Sequence, residues 1–107
     1  MFMAYFYLIL AILCEVTGTM LLPASQNFTK ILPTISLSIF YILAFYFLTF
    51  AMESLPISIV YATWSGLGIF CISIFGYFIY DQILQWQAIV GLLLIVIGVA
   101  IVNTFAS

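Results

Sequence analysis

Four runs of apolar residues, each about as long as a membrane is thick, leave this chain almost no choice of solvent. They lie at 5–22, 34–52, 58–80 and 87–104 of a 107-residue sequence. A helix rises about 1.5 Å per residue, so about 20 residues cross the ~30 Å hydrocarbon core of a bilayer. Hydrocarbon offers no partners to backbone N–H and C=O groups, so each run must bond internally as a helix. The pattern predicts an all-α membrane protein, a single domain over 1–107 with four transmembrane helices and no extramembrane part.

Composition closes off most other classes. Hydrophobic residues make up 68% of the chain and charged residues 4%, too little polar surface for a water-soluble fold. One Lys or Arg and no His exclude a basic nucleic-acid surface, a His-based metal site and a catalytic triad. No nucleophile–base pair stands out, so the chain does not read as an enzyme, and no cofactor or metal is expected. Cys14 and Cys71 sit in apolar runs and read as small buried hydrophobes rather than a disulfide. The N-terminus lacks a basic start and a small-residue cleavage site, so it reads as the first mature helix.

The breaks between runs have local causes. Pro23 cannot continue a helix, and Asn27 tolerates a left-handed turn. Thr29, Lys30 and Pro33 lead into the second run, Glu53-Ser54-Leu55-Pro56 into the third, and Asp81-Gln82 opens the last turn. With four spans both termini share a side with Glu53, and Lys30 and Asp81 face the other side. Orientation follows Lys and Arg in short loops. Here the count is one against zero, so insertion in both orientations is expected. The plainer alternative is one orientation set by Lys30.

Glu15 is the acid inside a span. A carboxylate there costs roughly 2.5–3.5 kcal/mol on insertion scales, which makes it a functional-site hypothesis by default. Its helical neighbours include the small residues Ala11, Gly18 and Thr19. They either leave room for a ligand or allow close helix packing. On the third run Tyr61, Trp64, Ser65, Gly68 and Ile72 share a face. Aromatic faces attract cations by roughly 0.5–2 kcal/mol each. The alternative for them is packing, but a lone acid with no basic partner favours a binding role for Tyr61 and Trp64. Tyr41, Phe45 and Leu48 on the second run are candidate walls of the same cavity, or else packing or lipid-facing residues. Gly66 and Gly68 suggest a kink that would let the helix halves tilt, or else close helix contact. Gly91 and Gly98, seven residues apart, make a flat stripe suited to dimer contact. Asn103 reads as a terminal hydrogen-bonder.

One acid per chain makes a thin site. Glu15 lies near half depth, so two copies inserted oppositely would hold both carboxylates at one level. They could act as the two inverted repeats of a transporter. A proton and a lipophilic cation would then compete for the same carboxylates, which is the basis of exchange.

Three stretches carry a resemblance. They are Ala11-Ile12-Leu13-Cys14-Glu15-Val16-Thr17-Gly18-Thr19, Leu55-Pro56-Ile57-Ser58-Ile59-Val60-Tyr61-Ala62-Thr63-Trp64-Ser65-Gly66-Leu67-Gly68, and Gly91-Leu92-Leu93-Leu94-Ile95-Val96-Ile97-Gly98-Val99. Together they resemble the small multidrug resistance family of proton-coupled exporters, over nearly the whole chain. The resemblance implies an antiparallel, dual-topology homodimer in the cell's inner membrane. It implies that Glu15 from both chains binds protons and cations in turn, with Tyr61, Trp64 and Ser65 lining the site. Gly18-Thr19 resembles the quaternary-ammonium branch. The chain departs from the family pattern at Pro23, where Lys is usual, at Asn27, where Gly is usual, and in the missing basic residues of later loops. The expected partners are cationic small molecules, protons, lipid and a second copy. The alternatives are a guanidinium exporter of the same family and a non-transporting member of a heteromeric pair.

Overall fold

The computed structural model describes residues 2–105 and is entirely helical over its regular elements. The ends of the expected unit, Met1 and 106–107, lie outside the described residues. Helix α1 spans Phe2–Met20, α2 Leu22–Ser25, α3 Ile31–Ala51, α4 Ile57–Tyr80 and α5 Trp86–Thr104. Counting α1 and α2 as one run, four segments are long and apolar enough to cross a membrane. This is a multi-pass membrane protein.

The helices begin earlier than apolar runs alone suggest. Helix α1 starts at Phe2 rather than Tyr5, and α3 at Ile31 rather than Thr34, with Pro33 inside its first turn. A first-turn proline is harmless, because its missing N–H would have had no helical acceptor. Pro23 acts as its chemistry requires, but two residues early. Without its N–H the Thr19 carbonyl loses its i+4 donor. The helix yields at Leu21, whose N–H bonds Gly18 O at 3.1 Å, and α2 restarts with Pro23 in its first turn.

The connection after α2 is tightly wound. Gln26, Asn27 and Phe28 all have positive φ, at 49°, 61° and 67°. The left-handed conformation expected at Asn27 is present, with a flanking residue on each side sharing it. Such conformations cost roughly 1–2 kcal/mol per ordinary L-residue. Buried Ser25 holds them: its carbonyl accepts from the N–H groups of Thr29 and Lys30, and its Oγ accepts from Phe28 N–H. At the far end of α4, left-handed Asp81 turns the chain while Gln82 N–H closes on Gly76 O at 3.1 Å.

Helix α1 is the centre of the protomer. It packs most extensively on α3 and next on α4, and α5 lies against α4. The core joins Ala4, Leu8, Ala11, Ile12 and Val16 of α1 to Leu48 and Ala51 of α3, and to Leu55 and Val60 at the start of α4. The chain is a slab of 44 × 35 × 17 Å. A helix with side chains is about 10–12 Å across, so this slab is under two helices thick. Its broad faces are not closed over by the chain itself.

Candidate functional site

Glu15 lies just past the middle of the 24-residue span Phe2–Ser25. The buried stripe of α1 runs through Leu8, Ala11, Ile12 and Val16; Glu15 shares that face and is half-buried. Its carboxylate turns toward α4. There it meets an open cleft of ≈ 250 Å³ lined by Glu15, Tyr61, Trp64, Ser65, Gly68, Ile69 and Ile72.

The cleft exists because α4 presents one face at three- and four-residue spacing. Gly68 is what lets the acid approach. A Cβ on that residue would stand 3.3 Å from Glu15 Oε2, so any side chain there would crowd the carboxylate. Trp64 is held edge-on between two other rings. Its centroid is 5.9 Å from Tyr61 and 5.8 Å from Phe45, at interplanar angles of 63° and 73°. Edge-to-face pairs contribute roughly 0.5–1.5 kcal/mol beyond their area, so the indole is pre-positioned beside the carboxylate.

Residues of α1 and α3 hold the carboxylate from behind. Thr19 Oγ1 donates to Glu15 Oε1 at 2.9 Å and shares a 2.8 Å hydrogen bond with Tyr41 OH. Thr19 has one hydroxyl proton and gives it to the carboxylate, so Tyr41 is the donor in the second bond. The chain Tyr41–Thr19–Glu15 thus fixes one carboxylate oxygen from outside the cleft.

The expected site residues fall into three groups. Glu15, Tyr61, Trp64, Ser65 and Gly68 line the cleft together. Thr19, Tyr41 and Phe45 touch it indirectly, through Glu15 and Trp64. Ala11 and Gly18 do not line it in this protomer. Ala11 is wholly buried in the core beside Leu8 and Val60. A Cβ on Gly18 would lie 3.3 Å from both Leu37 O and the Tyr41 ring. In this protomer both small residues lie in close helix packing.

The glycines of α4 are used in two ways. Hydrogen-bonded helix is continuous from Ile57 to Tyr80, with no positive-φ glycine. Gly66 is buried against α5, where a Cβ would lie 2.3 Å from Val99 Cγ2. Gly66 thus provides close contact with α5, and Gly68 provides room for the Glu15 carboxylate. Gly91 and Gly98 have nothing within 4 Å of their notional Cβ atoms. Ile69 is a lining residue that the sequence reading passed over, although its i+4 spacing from Ser65 marks it. A larger groove of ≈ 440 Å³ lies between the end of α4 and the start of α5, lined by Phe70, Phe78, Leu92 and Leu93 among others. It contains no charged side chain, so the carboxylate-bearing cleft is the chemically equipped one.

The chain is similar to several known proteins over nearly its whole length. The family model described as Small Multidrug Resistance protein matches residues 3–95. The chain is 40% identical over 105 residues to the quaternary ammonium compound-resistance protein QacH of Staphylococcus saprophyticus, covering 98% of each chain. It is 39% identical over 103 residues to the quaternary ammonium compound-resistance protein QacE of Escherichia coli, covering 96% of this chain and 94% of that one. It is also 42% identical over 102 residues to a multidrug transporter of Pseudomonas aeruginosa, covering 95% and 93%.

Proposed function

We propose that this chain, which belongs to the small multidrug resistance family, exports quaternary ammonium and other lipophilic cations across the cell's inner membrane in exchange for protons. The observation that carries the reading is Glu15, an acid within a membrane span, placed against the Tyr61–Trp64 face of α4. The names of its relatives support the cation class.

The chemistry follows from the residues. A greasy cation can leave water only if its charge is met, and Glu15 meets it. The rings of Tyr61 and Trp64 add attraction to the same charge, each worth roughly 0.5–2 kcal/mol. Ile69 and Ile72 supply apolar surface, with no directional bonds that would demand one ligand shape. A proton occupies the same carboxylate and displaces the cation. A gradient drives export if the site changes sides when loaded and seldom when empty.

A second copy completes the site. The cleft of ≈ 250 Å³ is open, and α5 buries no residue within the protomer. The slab shape supports pairing across a broad face. In an oppositely inserted pair both Glu15 carboxylates would share one depth, and exchange of two unlike protomer shapes would open the site to alternate sides. Gly91 and Gly98 on α5 would form a contact between copies.

Equilibrium binding of tetraphenylphosphonium to purified protein tests the reading. Affinity should fall as the pH is lowered from 8 to 5 and protons compete with the cation, and Glu15→Gln should weaken binding at least a hundredfold. Equal affinity at both pH values, or binding retained by Glu15→Gln, rejects it. Uptake of guanidinium in preference to tetraphenylphosphonium in proteoliposomes would move the assignment to the guanidinium exporters.

A further inference from the structure

Away from the cleft, α4 carries a second polar arrangement that the export chemistry does not use. Thr63, 5% exposed, points away from the cleft, and its Oγ1 accepts from Asn103 Nδ2 at 2.8 Å while donating to Ile59 O at 2.8 Å. Asn103 also donates to Val99 O at 2.9 Å and accepts from Tyr5 OH at 2.7 Å. Two of the three polar valences of Thr63 are used, and three of the four of Asn103. One cluster thus ties α1, α4 and α5 together near one end of the helices.

The position of the cluster matters more than its strength. Thr63 and Gly66 are three residues apart, so they share one face of α4. Helix α5 holds both: Asn103 bonds Thr63, and Val99 fills the space beside Gly66. Trp64 and Ser65 lie between them in sequence and face the cleft on the other side. A rotation of α4 that broke the Thr63 bond would also swing Trp64 and Tyr61 away from Glu15.

We propose that Asn103 is a positioning residue, which, through Thr63 on the back of α4 and with Tyr5 as its anchor on α1, sets the rotation that aims Trp64 and Tyr61 at the cation site. The assignment rests on the export reading for its ligand but not for its geometry. Asn103→Leu keeps the side-chain size and removes every hydrogen bond. Thr63→Val removes the hydroxyl, and Thr63→Ser keeps it.

Two measurements on the full-length protein test the proposal. In the first, tetraphenylphosphonium Kd should rise about tenfold in Asn103→Leu and in Thr63→Val. It should rise no further in the double variant, and should stay within twofold of wild type in Thr63→Ser. In the second, Trp64 emission is read without ligand in a Trp86→Phe background. Its quencher accessibility should change in Asn103→Leu and Thr63→Val and not in Thr63→Ser. Affinities within twofold of wild type for both disrupting variants overturn the proposal. So does a Thr63→Ser loss equal to that of Thr63→Val, or an unmoved Trp64 signal. If the wild-type chain binds no tetraphenylphosphonium, the export reading fails, and the ligand-free Trp64 signal alone then decides for or against the positioning role.

Discussion

Helices α1 and α5 have the same length, 19 residues, and both are strongly apolar, yet they are used in opposite ways. Helix α1 buries Ala4, Leu8, Ala11, Ile12, Val16 and Gly18 within the protomer, and α5 buries nothing. Apolarity brings both into the bilayer but does not decide which becomes a core. Lipid is as apolar as leucine, so helices associate where small residues permit close approach or polar groups find partners. Both helices carry small residues, but Ala4, Ala11 and Gly18 of α1 are buried within the protomer, and Thr19 of α1 bonds both Glu15 and Tyr41 of α3. Helix α5 touches α4 through Val99 and Ile95 at Gly66 and through Asn103. The remainder of its surface is left for lipid or a second copy.

The widest gap should appear on truncating a leucine in each helix. Leu8 is 1% exposed and Leu94 is 62% exposed. Leu8→Ala should cost about 2 kcal/mol in equilibrium unfolding from mixed micelles. That is at the low end of the range for cores in water, because lipid solvates the side chain when the helices separate and the cavity supplies most of the loss. Leu94→Ala should cost under about 0.5 kcal/mol. Equal losses would erase the distinction between the helices.

Glycine substitutions sharpen the same contrast. A Cβ at Gly66 would sit 2.3 Å from Val99 Cγ2, on a short β-branched side chain that cannot swing aside. Gly66→Ala should therefore lose about 1–2 kcal/mol net, the clash outweighing the helix-propensity gain. Val99→Ala in the same chain should restore most of it. Gly98 has open space beside it. Gly98→Ala should leave protomer stability unchanged or slightly raised and weaken self-association about tenfold, as read by fluorescence energy transfer between labelled chains. Unchanged association would remove Gly98 from the contact between copies.

The smallest effect concerns the turn that closes off the α1–α2 span. Asn27 has φ 61°, a conformation that glycine adopts at no steric cost. Asn27→Gly should stabilise the fold by about 0.5–1 kcal/mol in the same unfolding assay, because Asn already tolerates this region better than most residues. A loss of stability would mean that the Asn side chain contributes more to the turn than its backbone strain costs.

Legibility varied by residue for identifiable reasons. The α4 face was readable because Tyr61, Trp64, Ser65, Gly68 and Ile72 follow helical spacing and the helix is continuous. Ala11 and Gly18 were ambiguous because a small side chain suits both a ligand and a neighbouring helix, and within the protomer both lie in the packing of α1 against α3 and α4. Asn103 reads in the sequence as an end-of-helix hydrogen-bonder. Its partners Tyr5 and Thr63 lie 98 and 40 residues away. No local pattern encodes such a distance.

The amino-acid order alone determined that this chain crosses a membrane four times and that one acid, Glu15, lies within a span. Both follow from local quantities, the thickness of hydrocarbon and the cost of placing charge in it. Only the tertiary structure decided that Glu15, on the core-facing side of α1, lines an open cleft rather than being sealed inside. It also decided that Gly68 leaves room for it, that Tyr41 reaches it through Thr19, and that α5 holds the face of α4 turned away from the cleft. Those outcomes depend on how each helix is rotated about its axis, and rotation is set by contacts between distant residues.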